Sequence, residues 1–172
     1  MSRLVLVTGG ASSGKSQFAV ELAMRCGEKI TFVATCLSNG DDEMREKIEI
    51  HRKQRPSHWT TVENRLDLAR VIQELPCQGA LIDSLSLFVS GSMMDGKKDD
   101  AWRSQIHEFC DQALSVAFPV IVVTDEVGSG LIPENKLGRK FREALGFANQ
   151  QVAAKANEVY LMVSGLPVKL KG

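Results

Sequence analysis

The sequence predicts an α/β fold: three layers, α/β/α, around a mostly parallel sheet. Three observations predict it. Short β-branched apolar runs alternate with helical stretches from end to end. The first run, "RLVLVT", leads directly into "GGASSGKS", which fits G-x-x-x-x-G-K-[ST], the phosphate-binding P-loop. The 172 residues are enough for one core and short for two, so residues 1–172 are expected to form a single nucleotide-binding domain.

Taken in order, "RLVLVT" (3–8) reads as a buried strand and "KSQFAVELAMRC" (15–26) as a helix, with apolar residues at 18, 19, 22 and 23 on one face. "KITFVAT" (29–35) is a second strand. "DDEMREKIEIHRKQ" (41–54) is a charged helix, acidic at its start and basic at its end, as the helix dipole favours. "RLDLARVIQEL" (65–75) is a helix and "GALIDSL" (79–85) a third strand. Residues 90–100, "SGSMMDGKKDD", are the most loop-like stretch. "AWRSQIHEFCDQALSVA" (101–117) is helical and "PVIVVTD" (119–125) is a fourth strand. Residues 136–156 form a long helix with Gly146 as a candidate break. "NEVYLMVSG" (157–165) is a fifth strand, followed by a short basic tail.

Composition excludes several classes. Twenty-one basic residues balance twenty-one acidic ones, which leaves no excess charge to displace counterions from nucleic acid. No apolar run reaches the roughly 18 residues of a membrane span, and no secretory signal is visible, so the expected address is cytoplasmic. Cys26, Cys36, Cys77 and Cys110 are widely spaced, with no C-x-x-C pair. They read as reduced, half-buried thiols, not as a zinc site or a disulfide framework.

The chemistry starts at the P-loop. Its glycines let backbone N–H groups turn toward phosphate oxygens, and the following helix start adds positive potential. Lys15 would reach the β- and γ-phosphates, and the Ser16 hydroxyl would bind Mg²⁺. An acid at a neighbouring strand end would complete the metal site, and there are two candidates: Asp83 ends "ALID", and Asp125 with Glu126 ends "VIVVTDE". "DEVG" and "NKLG" mimic GTPase motifs. However, Gly138 stands where a guanine-reading Asp belongs, and the two pieces are too close to flank separate strands.

His51 ends the charged helix, followed by Arg52, Lys53 and Arg55. A histidine among cations near a triphosphate can attack phosphorus, while the cations steady the phosphate charge. From residue type alone, a solvated histidine at a helix C-terminus is the favoured reading. His58 and His107 have no such company. Trp59 fits a core residue better than a base-stacking platform.

These segments together resemble one family. "TGGASSGKS", "IEIHRKQRPSHWTTVE", "LIDSLSLFVS", "TDEVGSGLIPENKLGRKFREALGFANQQVAAKA" and "VYLMVSGLPVKLK" occur in this order over nearly the whole chain. They resemble the bifunctional adenosylcobinamide kinase / adenosylcobinamide-phosphate guanylyltransferase of cobalamin biosynthesis. The resemblance implies a RecA-like P-loop NTPase fold and a homotrimer. It implies two reactions: phosphorylation of adenosylcobinamide by ATP or GTP, and transfer of GMP from GTP to adenosylcobinamide phosphate, giving adenosylcobinamide-GDP. It implies a covalent GMP–histidine intermediate at the position of His51, with Lys15 as the second catalytic residue.

The resemblance also implies a nucleotide site. Gly9, Gly10, Ala11, Ser12, Ser13, Gly14, Lys15 and Ser16 form the phosphate loop, and Ala34, Thr35 and Cys36 a nucleotide-contacting strand end. Arg52, Lys53, Gln54, Arg55, Glu63 and Asp83 are further contacts, and Ser16 and Asp83 serve the metal. The chain departs from the family pattern at Ser12 (often Arg), Ser84 (often Cys), Gly91 (often Asn) and Asp125 (Asn). The competing reading is a P-loop kinase of another small metabolite, which would leave the His51 segment idle.

Overall fold

A computed structural model describes residues 2–35, 55–63, 67–94 and 101–172. Seven strands and five helices lie within them: β1 (Arg3–Gly9), α1 (Lys15–Met24), β2 (Ile30–Ala34), β3 (Thr60–Glu63), α2 (Leu68–Gln73), β4 (Gly79–Asp83), α3 (Leu85–Met94), α4 (Ala101–Ser115), β5 (Pro119–Asp125), α5 (Lys136–Lys155), β6 (Glu158–Val163) and β7 (Leu166–Lys171). The strands form one sheet in the order β3-β2-β4-β5-β1-β6-β7. All neighbours are parallel except β6 and β7.

The two faces of β1 explain the layering. Strand side chains alternate, so Leu4 and Leu6 point to one face and Val5 and Val7 to the other. Leu4 and Leu6 join a core with α2, α3, α4 and α5, including Phe88 and Phe109. Val5 and Val7 join a smaller core with α1, Phe32 and Trp59. The central strands are therefore apolar on both faces, as sheets covered on both sides require. Trp59 is a core residue, as expected.

Helix ends follow local chemistry. Asp67 caps α2 by accepting from the Arg70 N–H at 3.0 Å. Asn135 caps α5 by accepting from the Gly138 N–H at 2.6 Å. That capping contact accounts for "NKLG" as a helix start, without any guanine-reading role. In α4, Trp102, Ile106, Phe109, Cys110 and Ala113 form the buried stripe.

The structure corrects four details. Helix α5 runs unbroken through Gly146. The stretch after β4 is helical to Met94, so residues 90–94 are helix where a loop was expected, and 95–100 lie outside the described residues. "TTVE" (60–63) is a sixth strand, at one edge of the sheet. The basic tail is a seventh, paired antiparallel to β6. The charged helix expected over 41–54 lies outside the described residues.

Candidate nucleotide site

Backbone pairing brings the site together before any side chain is considered. In β3-β2-β4, Glu63 pairs with Ala34 and Ala34 with Asp83, so three of the expected residues form one row. In β5-β1-β6, Gly9 pairs with Asp125 and with Met162. Both rows lie at the carboxyl ends of the parallel strands, where open α/β sheets bind ligands.

The phosphate loop is a tight turn between β1 and α1. Ser12 (φ 54°) and Gly14 (φ 90°) both adopt left-handed backbone conformations. Ser13 N–H donates to the Gly10 carbonyl at 3.3 Å. A side chain on Gly9 would meet Ser13 Oγ at 2.6 Å and the Met162 carbonyl at 2.8 Å, so glycine is required by close approach. Ser13 Oγ is buried without a hydrogen-bond partner. Gly10, Ala11 and Ser12 are exposed, while Gly14, Lys15 and Ser16 are half-buried at the start of α1.

Lys15 Nζ donates to the Gly10 carbonyl at 3.0 Å and lies 2.8 Å from Asp125 Oδ1. Of the two acidic candidates, Asp125 is therefore the one that faces Lys15. The strand order explains this, because β5 lies between β1 and β4. Asp83 is half-buried at the end of β4, one strand farther away.

Behind Asp125 runs a buried polar chain. Ser86 Oγ donates to Asp125 Oδ2 at 2.5 Å, and Ser84 Oγ lies 2.8 Å from Ser86 Oγ. Thr35 Oγ1 donates to the Ser84 carbonyl at 2.7 Å and accepts from the Ser84 N–H at 2.8 Å. Thr35 is thus a clamp on the β4–α3 junction, and Ala34 beside it is half-buried. Asn149, on α5, donates from Nδ2 to the Asp125 carbonyl at 3.0 Å and accepts from Thr124 Oγ1 at 2.7 Å. Ser86 and Asn149 lie within segments that carry the resemblance, but neither is among the site residues expected from the sequence, and only the fold brings them to the strand end.

The second part of the expected site is described only at its edges. Arg55 lies over the Phe32 ring, 3.6 Å from the centroid, a cation–π contact that fixes the chain as it enters Trp59 and β3. Glu63 is exposed. Cys36, His51, Arg52, Lys53 and Gln54 lie outside the described residues. Cys26 and Cys77 are half-buried, as expected, whereas Cys110 is fully buried in the core; burial raises the thiol pKa of Cys26 and Cys77, and raises Cys110 to about 11 with help from the nearby Asp111 charge.

The donor set suits magnesium. Ser16 offers a hydroxyl at the start of α1, and Asp83 and Asp125 offer carboxylates at strand ends. Among the described residues no three His, Cys, Asp or Glu side chains converge into a cage. Mg²⁺ is commonly held this way, by one or two carboxylates together with phosphates and water.

The profile of the cobinamide kinase / cobinamide phosphate guanyltransferase family matches residues 5–170. The chain belongs to this family. It is 40% identical to the bifunctional adenosylcobalamin biosynthesis protein CobU of Escherichia coli (strain K12), covering 98% of this chain and 99% of that one. It is 34% identical to the CobP protein of Pseudomonas aeruginosa, named in the same way, over 97% and 96% of the two chains. Among solved structures it resembles flagellar accessory protein FlaH of Methanocaldococcus jannaschii, with a TM-score of 0.58, 14% identity, and 99% and 78% coverage of the two chains. The RadB recombinase gives a TM-score of 0.53 at 16% identity, covering 93% of this chain and 74% of that one. At those identities the likeness shows the fold, a three-layer P-loop NTPase, which is the class predicted from the sequence. Among the described residues no helix is long and apolar enough to cross a membrane.

Proposed function

We propose that this family member catalyses both transfers of the cobinamide nucleotide-loop pathway within one domain, residues 1–172. In the first, a nucleoside triphosphate, ATP or GTP, phosphorylates the hydroxyl of adenosylcobinamide. In the second, GMP passes from GTP to adenosylcobinamide phosphate, giving adenosylcobinamide-GDP and pyrophosphate. The observation that carries the reading is the shared carboxyl edge. The Gly9–Asp125 pair that opens the phosphate loop and the Glu63–Ala34–Asp83 row end on one side of the sheet. Arg55, at the close of the segment that carries His51, packs on Phe32 of β2 in the same sheet.

In this mechanism the phosphate-loop N–H groups and Lys15 neutralise the β- and γ-phosphates. Ser16 and Asp83 would hold Mg²⁺, which would supply charge neutralisation at the phosphate oxygens. The His51 imidazole attacks the α-phosphorus of GTP, so an N–P bond forms as the P–O bond to pyrophosphate breaks. Arg52, Lys53 and Arg55 offset the charge that moves, with Gln54 in the same segment. A phosphate oxygen of adenosylcobinamide phosphate then attacks that phosphorus, and the N–P bond breaks to free His51. Splitting one transfer into two predicts ping-pong kinetics for this half-reaction. The kinase half needs positioning and no covalent intermediate.

The assembly proposed is a homotrimer in the cytoplasm, where ATP and GTP are abundant. Leu131, 96% exposed, Ile132, Leu137 and Met94 are exposed apolar side chains, and Met94 and Leu137 line one pocket, which supports a subunit contact.

The test is to incubate the protein with Mg²⁺ and GTP labelled at the α-phosphate. An acid-labile, base-stable adduct is expected, and His51→Ala abolishes it. An adduct that survives His51→Ala, or none on active protein, overturns the guanylyl half. Phosphorylation of cobinamide without any adduct favours the kinase-only reading.

A further inference from the structure

We infer that Asp125 makes the phosphate loop select the magnesium complex of a nucleotide over the free nucleotide. The inference rests on the nucleotide-binding reading above. It concerns charge at a fixed place. Lys15 Nζ, the group that would meet the triphosphate, lies 2.8 Å from Asp125 Oδ1 in a pair whose lysine side chain is 12% exposed and whose aspartate side chain is 38% exposed. Solvent screens such a pair in part, so the carboxylate offsets part of the lysine charge at the loop.

Asp125 is held there from several sides. Its backbone pairs with Gly9 across β5 and β1, and the next N–H, of Glu126, donates to the Gly9 carbonyl at 2.9 Å. Its carbonyl accepts from Asn149 Nδ2. Its second carboxylate oxygen accepts from Ser86 Oγ at 2.5 Å. Ser86 has one hydroxyl proton and places it on Asp125, so Ser84 is the donor in the 2.8 Å Ser84–Ser86 contact. Ser84 Oγ in turn accepts from the Leu87 N–H at 3.3 Å. A buried line of donors therefore ends on Asp125, and both of its oxygens act as acceptors beside the loop.

A negative group fixed beside a phosphate site repels whatever anion binds. A free triphosphate carries more negative charge than its magnesium complex and is repelled more. Near a protein surface, a charge difference of that kind at several ångströms separates affinities by about tenfold or more. Asparagine has the same shape but lacks the charge: its one carbonyl oxygen accepts from Lys15, while its Nδ2 faces Ser86 Oγ and donates to it, so the Ser86 hydroxyl turns away. Asp125 thus acts through Lys15 and the local field as a positioning residue, and it sets which form of the substrate the loop accepts.

The test measures binding of the α,β-methylene analogue of GTP, which His51 cannot cleave, to the full chain by calorimetry, with Mg²⁺ and with EDTA. Wild-type protein should bind the magnesium complex more tightly. In Asp125→Asn, Kd for the free analogue should fall about tenfold, while Kd with Mg²⁺ stays within about threefold. Asp125→Ala should shift the same ratio in the same direction, and thermal melting of both variants reports folding. A purely structural role would change both Kd values together, and that result overturns the proposal. Weakening confined to the Mg²⁺ condition would make Asp125 a ligand of the ion and also overturns it. If wild-type protein binds the analogue in neither condition, the nucleotide reading fails and takes this inference with it. If wild type binds but the variants match it, only this inference fails.

Discussion

The Gly165 N–H, in the β6–β7 turn, donates to the Ser13 carbonyl at 3.0 Å, so the C-terminal hairpin is hydrogen-bonded to the phosphate loop. A side chain on Gly14 would lie 3.1 Å from Gly165 Cα, and Gly14 itself has φ 90°. Gly14→Ala must therefore strain the backbone and push the hairpin away. The expected cost is about 1–3 kcal/mol of stability, with weaker nucleotide binding in the same variant. Urea denaturation and a nucleotide titration measure the two effects.

Asn149 joins α5 to the end of β5. Removing its side chain leaves Thr124 Oγ1 without its acceptor, and Thr124 is fully buried. It also releases the Asp125 carbonyl. Asn149→Ala is expected to cost about 1–3 kcal/mol. For a chain of this size that lowers the melting temperature by about 2–4 °C per kcal/mol. Calorimetric melting of the two proteins checks it.

Cys110 is buried against α5 and the sheet, and its thiol pKa is raised from 9.0 to about 11. The folded state therefore holds the thiol proton more tightly than the unfolded chain does. That stabilisation is fully present below pH 9 and is lost as pH rises from about 9 to about 11. Its size is on the order of 2 kcal/mol. Cys110→Ala should flatten this part of the stability–pH curve, whatever its own cost at neutral pH. Denaturant titrations across that range measure it. Cys110 should also resist alkylating reagents in folded protein near neutral pH.

Much of the fold was legible. Five of the seven strands are apolar runs, because central strands are buried on both faces and leave that mark in the sequence. The two that escaped are edge strands. Three of the four residues in "TTVE" are exposed, and "LPVKLK" is exposed throughout. Backbone pairing holds them more than burial does, and pairing leaves no local period. Helix α3 was read in part as strand and loop because Leu85, Leu87, Phe88 and Val89 crowd together, and so short an apolar run does not separate helix from strand.

By itself the sequence determined that a phosphate loop follows the first strand and that strands and helices alternate. It also determined the family, through the ordered segments around Gly9, His51, Asp83 and Asn149. From residue pattern alone Asp83 and Asp125 each end an apolar run, and the resemblance gives the metal to Asp83. The tertiary structure shows which carboxylate faces Lys15. Inserting β5 between β1 and β4 pairs Gly9 with Asp125, and Lys15 then meets that carboxylate. The order of parallel strands depends on pairing between segments more than a hundred residues apart. Local periodicity carries no record of it, which is why the charge facing Lys15 could be known only from the fold.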